Sequence, residues 1–485
     1  MAVNPLAPAW LTEPSDANAL AAAVWPANVS RTADGVLAVA GVPATAIAGR
    51  FGTPVYVIDE ANVRDTAAAV REVFQREFAR VGGQSRVYYA GKAFLCADLA
   101  RWVSEAGLHI DVCTGGELAV VIAAGIDPAR LGFHGNNKSM VEIDAAVRAG
   151  VGAIVIDSWQ EIDRIAYAAA RQGVVQPVRL RVNSGVHAHT HEYLATAHED
   201  QKFGLPIADA PAAVCAIRAR PSLSFLGLHC HIGSQIFGAD GFAESASRLL
   251  AVHAALLADG PVPELNLGGG FGIAYTTADR PTPIGQIARR IADVVAARCT
   301  ALSIPLPLVA FEPGRLVVGG STLTLYTVGT TKDVPVPIAP PEEEEMGATA
   351  VRKYVSIDGG MSDNVRPALY GADYSARIAG RVSAAGTALV RVAGKHCESG
   401  DIVVDADYLP ADVMPGDLLA VAATGAYCWS LSSNYNYQGR PPVIAVRDGQ
   451  ARLLIRAETV QDLLARDTGI SHAVPDRETT DEKES

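Results

Sequence analysis

The sequence holds no CxxC pair and no apolar run long enough to span a bilayer. Its seven cysteines are scattered and odd in number, which argues against a disulfide framework and makes the cytoplasm the expected compartment. The opening MAVNPLAPAWLTEPSDANAL lacks a basic start followed by a long apolar stretch, so it does not read as a signal peptide. Basic residues are also short. Forty Lys and Arg stand against 52 Asp and Glu, a formal charge of −12, which argues against a nucleic-acid partner. A small-molecule ligand stays open, because a local basic pocket can exist inside an acidic protein. Charged residues make up only 19% of the chain and hydrophobic ones 49%, a packed composition that excludes wholesale disorder.

A chain of 485 residues exceeds one ordinary core, so two domains are expected. From about residue 85 to 314 a unit repeats: a short β-branched run, a polar or glycine turn, then a helical stretch. The runs are SRVYYA (85–90), HIDVC (109–113), LGFHG (131–135), AIVID (153–157), VRLRVN (178–183), FLGLHCHIG (225–233), ELNLGGG (264–270) and LVAFEPG (308–314). Between them lie segments such as ADLARWVSEAG (97–107) and WQEIDRIAYAAARQG (159–173), apolar at three- and four-residue spacing. Eight strands alternating with helices predict a parallel (β/α)8 TIM barrel, with an open doubly wound sheet as the alternative. The barrel is favoured by where the unusual residues fall. Lys92, Asp111, His134, Asp157, Asn183, His231, Gly268 to Gly270 and Glu312 all come at or just beyond strand C-termini, the face on which barrels build their sites.

Beyond about residue 320 the texture becomes β-rich, with runs such as TLTLYTVGTT, TALVRVAG, DIVVDADYLP and DLLAVAATGAY separated by Gly, Pro and Asp turns. This predicts a C-terminal antiparallel β-barrel or sandwich. TPVYVIDE (53–60) reads as a strand ahead of the helical ANVRDTAAAVREVFQREFAR. The expected division is an N-terminal segment 1–57 contributing to the β domain, a barrel over 58–320, a β domain over 321–471 and a disordered tail over 472–485. PPEEEEMG (340–347) reads as a solvated acidic loop.

Several motifs could carry chemistry. Lys92 in YYAGKAF lies among apolar and aromatic residues, where poor solvation favours a neutral, nucleophilic amine; a lysine merely reaching out from a strand end is the plainer reading. LNLGGGFG (265–272) should begin a helix whose N-terminus favours a phosphate, or else form a tight structural turn. FEPGR (311–315) offers Glu312 to hold a proton on a heterocyclic nitrogen and Arg315 to bind an anion; a mutual salt bridge is the alternative. HCHIGS (229–234) puts two histidines on one strand face without an evident third metal ligand. HAHTH (187–191) lacks a well-spaced carboxylate or cysteine, so no metal site is expected at either. DGGMSDNVRPALYG (358–371) supplies Arg366 and Tyr370, and ATGAYCWS (423–430) supplies Tyr427. In GKHCESGD (394–401) a cysteine sits beside a glutamate, and a small buried hydrophobe is the plainer reading of Cys397.

Taken in order, YYAGKAF, HCHIGS, GGGFG, EPGR, CESGD and GAY resemble the fold-type III, pyridoxal-phosphate-dependent amino-acid decarboxylases over roughly residues 50 to 470. Within that group the chain is similar to the diaminopimelate decarboxylases, because CES stands where ornithine-type relatives show an aspartate after the cysteine. The resemblance implies the alanine-racemase-like barrel-plus-β fold and a pyridoxal 5'-phosphate cofactor. It also implies decarboxylation of meso-2,6-diaminopimelate to L-lysine and carbon dioxide, the last step of lysine synthesis. Lys92 would hold the cofactor covalently, with Asp111 beside it and His231 stacked on its ring. Ser234, Gly268, Gly269 and Gly270 would surround the phosphate, with Gly314 and Arg315 of the EPGR turn contributing. Glu312 would pair with the pyridine nitrogen. Arg315, Arg366 and Tyr370 would hold substrate, and Tyr427 would lie close to both cofactor and substrate. Cys397 would donate the proton that replaces the lost carboxylate, and Glu398 would bind the distal ammonium. In the family the CESGD segment reaches a neighbouring subunit's site, which implies a homodimer with shared active sites.

Two other readings compete. A non-catalytic relative that regulates an active paralogue would be expected to lose Lys92 or Cys397, and both are present. A racemase would place arginine, not Glu312, at the pyridine nitrogen.

Overall fold

The computed structural model describes residues 4–186, 202–338 and 349–470. HAHTH, PPEEEEMG and the predicted tail 472–485 lie outside the described residues.

Runs such as Leu131–Phe133, Ala153–Ile156 and Glu264–Asn266 are buried at every position, as a strand covered on both faces must be. They belong to a ring of parallel strands: Gln84–Ala90, His109–Val112, Leu131–Phe133, Ala153–Ile156, Gln176–Asn183, Leu223–His229, Glu264–Asn266 and Leu308–Phe311. The last strand pairs with the first, Val309 opposite Ser85 and Phe311 opposite Val87. The fourth pairs with the fifth, Ile154 opposite Val178. The sheet therefore closes into the eight-stranded barrel, and the open-sheet alternative is set aside.

The helices begin and end where local chemistry says they should. Asp59 accepts the backbone N–H of Asn62 to start Glu60–Arg80. Ser139 and Glu142 form a capping box at the head of Met140–Ala149, and Gly150 ends that helix in the left-handed conformation. The apolar stripe of Glu60–Arg80 packs onto the last strand, with Phe74 stacked on Phe311 at 3.9 Å between ring centres.

The second sheet runs Ile402–Pro410, Thr387–Ala393, Thr349–Ile357, Thr322–Pro337, Val55–Asp59, Val443–Arg447, Gln450–Ile455; Leu418–Val421 pairs with Thr322–Pro337 and with Ala376–Ile378. It is mixed, not purely antiparallel as its turns suggested: Thr349–Ile357 with Thr387–Ala393, and Val443–Arg447 with Val55–Asp59, run parallel. Alternation and turn residues specify strands, while strand direction depends on partners distant in sequence. A ribbon of Val29–Arg31, Leu37–Val39 and Val42–Pro43 closes one end, and Leu37 donates its N–H to the Ala379 carbonyl at 2.8 Å.

Candidate active site

Lys92 sits on a single helical turn, Gly91–Ala93, directly after the first barrel strand. Its neighbours Gly91 and Ala93 are buried while Lys92 itself opens to solvent at the barrel mouth. Gly91 has no room for a side chain, because a Cβ would stand 2.9 Å from the Asp111 carbonyl. Gly314 packs against the same turn, where a Cβ would meet the Ala90 carbonyl at 3.0 Å and the Ala93 methyl at 3.1 Å. The sheet domain clamps the turn from the other side: Tyr427 donates its N–H to the Ala93 carbonyl at 2.8 Å, and Ser430 Oγ donates to it at 2.9 Å.

Poor solvation was expected to leave Lys92 neutral. The structure reverses this. Surrounding atoms partly desolvate the ammonium and work against it, but Tyr427, Cys113 and Glu312 outweigh this and hold the Lys92 pKa above its ordinary value.

Buried polar groups gather at the same strand ends. Glu312 follows the eighth strand and accepts from Asn266 Nδ2 at 2.7 Å. His229 Nε2 lies 3.1 Å from one of its oxygens and 3.2 Å from the other. His134 Nε2 lies 3.5 Å from Glu312 and 3.2 Å from Asp111 Oδ1. Burial holds both rings down to about 4, so His229 donates its Nε2 proton as a neutral ring. Burial opposes the Glu312 charge too, yet these partners hold the carboxyl well below the usual range. Asp111 goes the other way: burial first, then the Glu312 charge, push it well above that range.

Two expectations for this region need correction. The strand ends at His229, so His231 does not share its strand face; a loop places it, with Nδ1 accepting the Gly269 N–H at 3.2 Å. A third group does join His229, because His134 and Glu312 come with it to within 4.8 Å. Sequence spacing could not show this, since the three come from different strands. Glu312 and Arg315 form no mutual salt bridge among the described residues; each is bound elsewhere.

The glycine run forms a cradle and does not open a helix. After Gly268, Gly269 and Gly270 the chain stays irregular until Ile284–Leu302. The glycines are required by close approach: a Cβ on Gly269 would lie 2.0 Å from the Glu312 carbonyl, and one on Gly270, at φ +106, would lie 2.2 Å from the Gly233 carbonyl. Asn266 Oδ1 accepts the Gly268 N–H at 2.8 Å. Arg315 reaches the same loops, donating to Ser234 Oγ at 2.9 Å and to the Tyr275 hydroxyl. Its guanidinium lies 4.9 Å from the Tyr427 ring centre. Arg366, buried at the start of a short helix, donates to the Tyr374 hydroxyl and lies over the Tyr275 ring at 4.7 Å.

Lys92, Asp111, His231, Ser234, the glycine run, Glu312, Gly314, Arg315, Arg366 and Tyr427 thus lie on strand ends, turns and short helices that contact one another. Among the described residues, no side-chain hydrogen bond or ion pair joins Tyr370, Cys397 or Glu398 to that set. Tyr370 is exposed. Cys397 and Glu398 are exposed on the sheet domain, and their hydrogen bonds run to Asn436, Ser399 and Gly400. Sequence reasoning missed Asn266, Tyr275 and Tyr374. Asn266 had a readable signal, a polar residue closing an otherwise apolar barrel strand just before the glycines.

A primary amine at a barrel mouth, a buried carboxylate at the same end of the barrel and a glycine cradle beside an arginine fit an aldehyde cofactor with a basic ring nitrogen and a phosphate. Fold and site together define a cofactor-dependent barrel enzyme with an added sheet domain. A family model described as "Pyridoxal-dependent decarboxylase, pyridoxal binding domain" matches residues 65–319, and "Pyridoxal-dependent decarboxylase, C-terminal sheet domain" matches 322–425. The chain belongs to the pyridoxal-dependent decarboxylase family, and its cofactor is pyridoxal 5'-phosphate. It is 50% identical over 454 residues to the diaminopimelate decarboxylase of Mycobacterium tuberculosis (strain ATCC 25618 / H37Rv), covering 92% of this chain and 98% of that protein. The corresponding protein of Corynebacterium efficiens is 46% identical, with 92% and 95% covered. The crystal structure of diaminopimelate decarboxylase from M. jannaschii in complex with L-lysine superposes with a TM-score of 0.82 at 30% identity, covering 91% of this chain and 98% of that one.

Proposed function

We infer that the protein decarboxylates meso-2,6-diaminopimelate to L-lysine and carbon dioxide, the last step of lysine biosynthesis. The observation that carries the chemistry is buried Glu312, hydrogen-bonded by Asn266 and His229, at the same end of the barrel as Lys92. The substrate is supported by relatives of that name at up to 50% identity over 92% of the chain and by the Cys397–Glu398 pair.

Bound pyridoxal phosphate supplies an electron sink for the carbon that loses its carboxylate. Lys92 would hold the cofactor aldehyde through its amine, with Asp111 nearby. Glu312 would favour a proton on the pyridine nitrogen, because a buried carboxylate stabilises the cationic ring. His231 would hold the ring. Ser234, Gly268, Gly269 and Gly270 bind the phosphate, with Gly314 and Arg315 alongside. Arg315, Arg366, Tyr370 and Tyr427 orient substrate so that one carboxylate departs. Cys397 returns a proton to that carbon, and Glu398 accepts the distal ammonium.

Because Cys397 and Glu398 stand apart from the Lys92 pocket of their own chain, the reading includes a homodimer in which each subunit completes its partner's site, acting in the cytoplasm. Exposed Leu369, Tyr370, Leu431, Tyr435 and Tyr437 on the sheet domain support such a contact. The test is a substrate panel on cofactor-loaded protein. Carbon dioxide and L-lysine should come from meso-diaminopimelate, and a preference for ornithine, arginine or carboxynorspermidine would overturn the reading.

A further inference from the structure

GKHCESGD carries a histidine that the chemistry above does not use. His396 is buried, while Cys397, Glu398, Ser399 and Gly400 after it are exposed. Its backbone N–H goes to Asp401 Oδ2 at 2.7 Å, and Asp401 Oδ1 accepts the Met361 N–H at 2.6 Å. Its ring lies between two further segments. Ser362 presents its backbone N–H to Nε2 at 3.3 Å and its hydroxyl to the same atom at 2.8 Å. A backbone N–H can only donate, so Nε2 accepts and the ring proton sits on Nδ1. Nδ1 faces Asn436 Oδ1 at 3.3 Å, and that oxygen also accepts the backbone N–H of Cys397 at 3.1 Å. The Asn436 oxygen thus joins the histidine ring to the backbone of the residue proposed as proton donor. Tyr435 stacks on the imidazole, ring centres 5.3 Å apart.

This arrangement meets the exposed tip at the Cys397 N–H. The tip's other hydrogen bonds are within its own segment: the Glu398 carboxylate accepts from Ser399 Oγ and the Gly400 N–H, and the Glu398 carbonyl accepts the Asp401 N–H at 3.1 Å. The Cys397 N–H is thus the point at which a separate part of the fold holds the tip. Asn436 holds a left-handed conformation, φ 49 and ψ 30, which asparagine tolerates better than most residues.

We propose that His396, Ser362 and Asn436 are positioning residues that hold Cys397 and Glu398 in the geometry the reaction needs. This rests on the roles given to those two residues above. Among the described residues, no hydrogen bond of His396, Ser362 or Asn436 runs to Lys92, Glu312 or the glycine run, so loosening this bracket should leave cofactor binding intact and spoil the delivery of Cys397 and Glu398.

Asn436→Gly keeps the left-handed backbone and removes the shared acceptor. In the cofactor-loaded enzyme it should lower kcat about 10- to 100-fold, since small misplacements of a reacting group cost that much. It should also raise KM for meso-diaminopimelate, with visible absorbance and Tm unchanged. His396→Gln keeps an acceptor for Ser362 and should retain more activity than His396→Leu. Independently of turnover, the Cys397 peptide should alkylate with iodoacetamide several-fold faster in Asn436→Gly. Unchanged kcat, KM and alkylation rate in that variant overturn the bracket, as does a loss of activity that merely tracks lost cofactor and lowered Tm. A wild-type enzyme inert toward meso-diaminopimelate overturns the functional reading instead, and the alkylation rates then still judge the bracket.

Discussion

Asp111 and Glu312, two buried carboxyl groups that both approach His134 Nε2, are driven in opposite directions from their ordinary pKa. Against burial, Asn266 and the histidines hold Glu312 well below it, while burial and then the Glu312 charge push Asp111 well above it. Two like charges so close would be costly in a desolvated site, which disfavours ionising both. Glu312 is followed directly by Pro313 and Gly314, which pack against the residues flanking Lys92, Ala90 and Ala93.

Removing that charge should show in the chemistry. Glu312→Gln keeps the shape and the Asn266 contact but loses the field that favours a protonated ring. Turnover should fall about 100- to 1,000-fold, the scale of losing one preorganised electrostatic partner. Steady-state kinetics on fully cofactor-loaded protein checks it, and wild-type turnover in the variant would remove Glu312 from the mechanism.

Lys92→Ala should abolish the covalent attachment of cofactor. Borohydride reduction of the wild type followed by peptide mapping should place the label on the peptide containing Lys92. A label elsewhere would contradict the assignment.

Cys397→Ala should lower kcat about 100- to 10,000-fold with little change in KM, as expected for loss of a general acid. Glu398→Gln should mainly raise KM. Mixing Lys92→Ala with Cys397→Ala subunits tests the shared site. Half the dimers would be hybrids, each with one intact site, so activity should recover to about a quarter of wild type. No recovery after subunit exchange would confine each site to one chain.

Asp363 sets a pH dependence of stability. Burial, with Asp401 and Asp358 nearby, pushes its carboxyl up to about 7, against the opposing Gly360 and Tyr326 hydrogen bonds. The folded state therefore holds a proton that the unfolded chain releases near pH 4, and stability falls as pH rises from about 4 to about 7. Asp363→Asn removes that loss, which is on the order of 4 kcal/mol for a shift of about three units. Melting curves from pH 5 to 8 should show the variant gaining on wild type as pH rises. A constant difference in Tm would refute the assignment.

Much of this was readable beforehand because it is local. Strand periodicity located all eight barrel strands, and Asp111, His134, His231, the glycines and Glu312, at or past their ends, come together in one region. What escaped was set by contacts between distant segments. The acidity of Lys92 depends on Tyr427 from the other domain, which a view limited to its apolar neighbours reversed. The glycine run looked like a helix start, but its conformation is imposed by carbonyls of Glu312 and Gly233 that crowd it. Tyr275 and Tyr374 earn their places by facing Arg315 and Arg366, guanidiniums brought in from elsewhere in the chain.

The carbonyl of Ala93 draws both of its side-on donors, the Tyr427 amide and the Ser430 hydroxyl, from the far end of the polypeptide. The two halves are consequently not interchangeable cassettes. A chimaera that grafted another sheet domain onto this barrel would have to reproduce that pair of donors, or the turn bearing the reactive amine would lose its outer support.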